Sequence, residues 1–311
     1  MTMMSPRRRL LAPLLYLILS MLCVHAAELP RVGLVMKSLA NPFFVAMADG
    51  AKVHAKSHAG KYTLVLTGIE NETDKAGQIR LVEKMISDKV SAIVIAPADS
   101  RDLVPVVRKA LAAGILVVNI DNKFDDRVLA EQGINIPFVG PSNRQGAREV
   151  GAFLARQLKP GDKVAIIEGI SSTTNAQART AGFREAMASA GADVVAVRSG
   201  LWETAPAQKQ AADLLKAHPD LKALLCGNDS MALGAVAAVR ASQRQVAVVG
   251  YDNIPAAAPL LASGQLLATA DQYAAQQAAF GIDLVLKAIQ EKTEQALLPA
   301  MVQTPVKLVV K

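Results

Sequence analysis

The stretch VMKSLANPFFVAMADGAK, residues 35–52, opens on the tail of an apolar run and closes on a helix-forming segment. Between them come Lys37 and Ser38, then Asn41-Pro42, then Phe43 and Phe44 side by side. This is a strand feeding a helix through a short polar turn, the βα unit from which open parallel sheets are built. A core needs only one large aromatic per helical face. The second must cover something else.

The same rhythm runs through the chain. Apolar runs that read as strands are RVGLVM, YTLVLTG, SAIVIAP, GILVVNI, IPFVGP, KVAIIEG, ADVVAVRSG, KALLCG, VAVVGY and LLATADQ. They are continuous rather than alternating, as burial on both faces of a parallel sheet demands. Helical patterns such as DKAGQIRLVEKMISDK and RQGAREVGAFLARQL fill the gaps. The predicted class is α/β, with doubly wound parallel sheets. Ten such runs exceed what one sheet of this kind carries. The rhythm breaks at NIPFVGPSNRQGA, residues 135–147, where a helix restarts at Ser142 or Asn143. Two lobes of similar size are therefore expected.

The first residues read differently. Arg7, Arg8 and Arg9 precede an apolar run from Leu10 to Val24, and the small residues Ala26 and Ala27 follow. That is the layout of an export leader, residues 1–27, with cleavage after Ala26 or Ala27. The run is too short and too proline-marked for a spanning helix. Export to the periplasm as a soluble protein is the expectation; Leu22 is a poor context for lipidation at Cys23. Removing three arginines and no acid from the formal charge of +7 leaves +4, too modest and dispersed to argue for nucleic acid. Cys23 leaves with the leader, so Cys226 is alone and no internal disulfide can form. Hydrophobic residues make up 51% of the chain but aromatics only 4%, so a cluster of aromatics carries more information than usual.

In open parallel sheets ligands bind beyond the carboxyl ends of the strands. Reading those positions collects Lys37, Asn41, Phe43 and Phe44, then Asp121 and Asn122 after GILVVNI. The second half adds Arg179, Trp202 after ADVVAVRSG, Asn228 and Asp229 after KALLCG, Asp252 after VAVVGY and Gln272 after LLATADQ. Flat apolar rings beside paired donors and acceptors suit a carbohydrate, whose C–H faces stack on aromatics while its hydroxyls donate and accept. Phe43 and Phe44 would cover one face of the ring and Trp202 the other. Lys37 and Arg179 set against Asp121 and Asp252 give a near-neutral pocket, favouring a neutral polyhydroxy ligand over an anion. An inward Asp271 would strengthen that preference.

These residues carry a resemblance. The segments NPFFVAMADGA, AIVIAPADS, VVNIDNKFD, KVAIIEG, AHPDLKALLCGNDSMALGA and VAVVGYDNIP are similar to those of periplasmic substrate-binding proteins for monosaccharides, the ribose- and allose-binding branch of the type I fold. The likeness covers essentially all of the chain after the leader. It implies two lobes joined by three crossings, with sugar trapped between them, and delivery to an ABC permease of the membrane. It further implies an N-terminal lobe of residues 28–141 plus 273–304 and a C-terminal lobe of residues 142–272 plus 305–311. The family's ligand contacts match Asn41, Phe43, Phe44, Asp121, Arg179, Trp202, Asn228, Asp252 and Gln272. Lys37, AIIEG and LLCGND resemble the allose-type branch. One position departs: beside the aspartate, ribose binders have arginine and allose binders glutamate, where this chain has Asn122. A hexose, a pentose or a related polyol is the expected cargo, and a monomer the expected state.

Other chemistries find less support. His54 and His58 have the spacing of a metal pair on a helix, but no third ligand is evident, so an exposed polar face is expected and no metal. EGISSTTNAQART is rich in hydroxyls without a G-x-S-x-G elbow or a histidine partner, and nothing resembles an activated nucleophile. No phosphate-binding glycine motif and no cofactor motif occurs. Asn228 and Asp229 are expected to divide ligand contact and helix capping, with Asn228 on the sugar. Cys226 reads as a packing residue. A lactose-repressor-type regulator would share the two-lobed core but needs an N-terminal helix-turn-helix that this chain lacks. A sugar-sensing module for a chemoreceptor or membrane kinase would share the pocket and is the alternative.

Overall fold

The computed structural model describes residues 28–311, so the expected leader with Arg7, Arg8, Arg9 and Cys23 lies outside the described residues. The first half alternates β1 (Arg31–Ser38), α1 (Pro42–Ser57), β2 (Thr63–Ile69), α2 (Lys75–Ser87), β3 (Ala92–Ile95), α3 (Val104–Ala112), β4 (Leu116–Ile120), α4 (Asp126–Gln132) and β5 (Phe138–Gly140). The second half continues with α5 (Asn143–Ala155), β6 (Lys163–Glu168), α6 (Thr174–Ser189), β7 (Asp193–Ser199), α7 (Thr204–Ala217) and β8 (Leu221–Cys226). It then runs through α8 (Asp229–Ser242), β9 (Ala247–Val249), α9 (Ala258–Ser263) and β10 (Ala268–Asp271). The tail adds α10 (Ala274–Glu291), β11 (Met301–Gln303) and β12 (Lys307–Val310).

The strands form two six-stranded sheets, ordered β11-β5-β4-β3-β1-β2 and β12-β10-β9-β8-β6-β7. Within each, the first five strands follow the same doubly wound order, so each sheet has its switch point beside its first strand. Pairing is parallel throughout except between β10 and β12. The chain passes from one sheet to the other after β5, after β10 and between β11 and β12.

The continuous apolar strands are buried on both faces for a visible reason. Leu34, Met36 and Val94 face α1 and α10, packing with Met47, Ile282 and Val285. Their neighbours Val35, Ile93 and Ile95 face α2 and α3, packing with Val82, Met85, Val104 and Val107. Each fully buried aliphatic side chain of this size contributes about 1.5–3 kcal/mol. Ser142 accepts from the Gln145 amide and caps α5, which places the helix restart where the proline-glycine break predicts it.

β11 and β12 were not among the ten runs read as strands. Both are edge strands with half-exposed side chains, so neither has the two-face burial that marks a central strand. Among the described residues no helix is long and apolar enough to cross a membrane.

Candidate ligand-binding site between the lobes

The carboxyl ends of the two sheets face each other across a small cavity. Ten of the eleven predicted residues line it, and each of the ten is at least nine-tenths buried. Glu72 and Asn175 complete the wall.

On the N-terminal side, Asn41 both caps and lines. Its Oδ1 accepts from the Phe43 amide at 3.1 Å, starting α1, while its Nδ2 donates to Glu72 Oε1 at 2.9 Å. Glu72 also pairs with Lys37 at 2.9 Å, both side chains almost fully buried. The ammonium of Lys37 sits 5.3 Å from the Phe44 ring centre and 5.4 Å from that of Trp202. Phe43 and Phe44 meet edge to face, centroids 5.1 Å apart at 80°. Both rings therefore belong to the cavity wall as well as the core.

Asp121 follows β4 in the left-handed region, at φ 62°. That reversal turns its carboxylate into the cavity, where Oδ2 finds no donor within the protein. Burial raises its carboxyl above the usual value, against the lowering effect of Lys37 and Arg179. The same reversal carries Asn122 to the other side. Asn122 does not line the cavity: its Nδ2 donates to the Pro97 carbonyl at 3.0 Å, and its Oδ1 lies 3.1 Å from the Thr174 hydroxyl and 3.3 Å from the Asn175 amide.

On the C-terminal side Arg179 is locked from several directions. Nε donates to Asn143 Oδ1 at 2.7 Å, and Nη1 to the Gly227 carbonyl at 2.8 Å and to Asp252 Oδ1 at 3.3 Å. Its guanidinium lies flat on the Tyr251 ring, 3.8 Å from the centroid. Gln272 donates to Asp252 at 2.7 Å and accepts from Gln277 Nε2. Burial raises the Asp252 carboxyl well above its ordinary value even with Arg179 alongside.

Trp202 closes the opposite wall. Leu201 and Trp202 both have positive φ, a strained pair that aims the indole inward. A methyl on Gly169 would overlap the ring, so glycine is what lets the indole lie against that strand end. The Trp202 carbonyl accepts from Asn228 Nδ2 at 3.2 Å, and its buried Nε1–H has no partner in the protein. An unpaired acceptor on one wall and an unpaired donor on the other are what a polyhydroxy ring would satisfy.

Two expectations need correction here. Asn228, not Asp229, caps α8, accepting from the Met231 amide at 2.9 Å while it lines the cavity. Asp229 is committed elsewhere, accepting from the Thr269 hydroxyl at 2.7 Å and the Ile254 amide at 3.0 Å. Asp271 stays out of the cavity, engaged with Asn253 and the Tyr273 amide. Glu72 supplies a further carboxylate instead. The strand-end rule points at the loop after β2 but cannot choose among its polar residues Glu70, Asn71, Glu72, Thr73 and Asp74. Asn175 was read only as part of a hydroxyl-rich stretch.

The rest of that stretch holds the lobes together. Ser172 donates to Asp99 at 2.9 Å, and the Thr174 amide to the Ser100 hydroxyl at 2.9 Å. The Thr174 hydroxyl donates to the Lys123 carbonyl at 2.6 Å. These bonds cross from one lobe to the other. At about 0.5–1.5 kcal/mol per bond, Thr174→Ala is expected to weaken ligand binding about three- to tenfold. Calorimetry checks the affinity, and small-angle scattering of the ligand-free protein should show a larger radius of gyration. An unchanged affinity would remove this contact from the closure energetics.

Residues 32–293 match the family model described as a periplasmic binding protein domain. The chain belongs to the periplasmic binding protein family. Among its relatives, the binding protein is 57% identical over 310 residues to the D-ribose/D-allose-binding protein of Pseudomonas aeruginosa, covering 97% of each chain. Its fold superposes with a TM-score of 0.90 on an ABC transporter solute-binding protein from Burkholderia multivorans, at 58% identity, covering 91% of this chain and 100% of that one. The ligand there was not identified and was built as α-D-erythrofuranose. A periplasmic solute-binding protein from Actinobacillus succinogenes with bound D-allose gives 0.84 at 33% identity, covering 91% and 98%. The type I architecture of two parallel-sheet α/β lobes is thus shared with proteins that hold sugars.

Proposed function

We propose that this binding protein captures a neutral monosaccharide, an aldopyranose of the ribose and allose type, and presents it in the periplasm to an ABC permease. Facing aromatics carry the reading: Phe43 and Phe44 come from one lobe and Trp202 from the other, and they line one small cavity together with hydrogen-bonding side chains. The wall holds Lys37 and Arg179 against Glu72, Asp121 and Asp252, a balance that disfavours phosphates and sugar acids. The relatives add support, since one is named for D-ribose and D-allose together and another holds D-allose. Those two sugars share configuration at C2, C3 and C4 and differ by a hydroxymethyl group at C5. A site that reads the common hydroxyls serves both.

Hinge closure is the mechanism. Sugar docks on one lobe, the lobes close about the three crossings, and water leaves the ring faces. Closure brings Thr174 onto Lys123 and forms the composite surface that a permease can distinguish from the open state. The monomer suffices, because both walls of the cavity come from one chain, and no residue in it is arranged as an activated nucleophile or acid–base pair.

The test is a thermal-shift and calorimetric screen of residues 28–311 against D-ribose, D-allose, other neutral monosaccharides, polyols and sugar acids. A hundredfold excess over the dissociation constant stabilises by about 2.7 kcal/mol. Shifts confined to one or a few neutral sugars are expected. A folded protein silent to neutral sugars, or one preferring sugar acids or phosphates, would overturn the reading.

A further inference from the structure

At the far end of α1 from the aromatics, the fold completes a cluster that the sequence leaves at two members. His54 is buried rather than exposed, and Asp283 of α10 meets its Nε2 at 2.9 Å across 229 residues of chain. The meeting follows from close helix packing. Gly50, one turn before His54, lies against Ala275 with no room for a Cβ, which brings the two helices together. We infer that His54, His58 and Asp283 form a binding site for a divalent transition-metal ion of the zinc class.

The hydrogen bonds of the two imidazoles decide which nitrogens can turn to an ion. His58 Nδ1 lies 3.0 Å from the His54 carbonyl. A carbonyl only accepts, so Nδ1 carries the proton and Nε2 carries the lone pair. His54 Nδ1 lies 2.9 Å from the Tyr62 hydroxyl, while its Nε2 faces the Asp283 carboxylate, which only accepts. Without an ion Nε2–H donates there, and a metal would displace that proton while Nδ1–H donates to Tyr62. Imidazoles that ligate metals are commonly held in this way, with the second nitrogen fixed by an outer partner. The two rings stack side by side, with centroids 4.1 Å apart at 16°.

The dimensions fit. One ligand atom from each residue falls within 4.8 Å of the others. Zinc bonds of about 2.0–2.1 Å at tetrahedral angles hold ligand atoms roughly 3.3 Å apart. The remaining contraction is within reach of side-chain rotation, because Asp283 is 56% exposed. That exposure also gives the ion a path from solvent and a place for water as fourth ligand. Two imidazoles and one carboxylate make a donor set suited to zinc rather than to calcium or magnesium.

The experiment titrates residues 28–311, freed of any histidine tag, with zinc chloride by calorimetry and equilibrium dialysis. One zinc per chain is expected. His58→Ala and Asp283→Asn should each weaken binding by more than the roughly 10–100-fold typical of an outer partner, and Tyr62→Phe by about tenfold. His218→Ala should leave it unchanged. Circular dichroism verifies that each variant is folded, and sugar affinity should be the same in His58→Ala. No uptake at zinc well above the protein concentration would overturn the inference and leave a Tyr62–His54–Asp283 hydrogen-bond chain. So would uptake that survives both His58→Ala and Asp283→Asn, or that is lost in His218→Ala.

Discussion

Trp202→Ala is expected to lower sugar affinity by at least about a hundredfold, or roughly 2.7 kcal/mol. The indole is 3% exposed and forms the wall opposite Phe43 and Phe44, so its loss removes one stacking face outright. It also removes the π surface under two cations, Lys37 and Arg179, each 5.4 Å from the ring centre. A buried Trp→Ala change costs about 3–5 kcal/mol of stability on its own, and a smaller side chain would inherit the strained backbone at φ 66°. Trp202→Phe separates the two effects: a ring is kept, and the affinity loss should shrink to about tenfold. Trp202 is the single tryptophan of the chain, so its fluorescence reports on this wall directly. Sugar should shift the emission of the unaltered protein. Binding by folded Trp202→Ala within threefold of the unaltered protein would take the indole out of the site.

Asp121→Asn should act in opposite directions on binding and on stability. Asn tolerates the left-handed backbone at φ 62° about as well as Asp, so the loop is kept. The ionised carboxylate accepts two charge-assisted hydrogen bonds from sugar hydroxyls where an amide oxygen offers a neutral one, so affinity should fall more than tenfold. The sugar-free protein should nevertheless become more stable. Burial is the main cause that raises the Asp121 carboxyl, so the folded state holds this proton more tightly than the unfolded chain does. The group's contribution is therefore favourable below the unfolded value of about 3.9 and is lost as pH rises through the raised folded value. The gain from Asn should appear at neutral pH and vanish in acid. Urea melts of both proteins at neutral and acidic pH test the sign, and an Asn variant that melts no later at neutral pH would refute it. Sugar binding by the unaltered protein should in turn weaken on acidification at a higher pH than an ordinary aspartate would set.

The positions that could be read in advance share one origin. Lys37, Asp121, Trp202, Asn228, Asp252 and Gln272 all stand just past the ends of continuous apolar runs, where a doubly wound sheet must open its crevice. Arg179 was reached only at the end of a longer segment after KVAIIEG, and a charged residue in the second turn of a helix looks the same in sequence whether it faces water or Tyr251. Asn122 misled because strand-end logic has a resolution of about one residue. A single left-handed residue, Asp121, sends one side chain into the cavity and the next onto Pro97 and the opposite lobe. Glu72 was passed over because all five residues of its loop, Glu70 to Asp74, are polar.

By itself the sequence determined the class of fold and the helix restart near Ser142, and it marked the strand ends proposed to bear the site and the aromatic pair whose second ring needed a purpose. Each of these follows from local periodicity and turn chemistry, which a chain carries in consecutive residues. Only the tertiary structure decided that Asn122 points away, that Glu72 joins Lys37, that Asn228 is the cap, and that Asp283 reaches His54. Those outcomes depend on contacts between residues far apart in the chain and on single backbone reversals. Periodicity records neither, because it averages over a turn or a strand while a side chain's direction is set by one φ angle and by what the opposing element leaves room for.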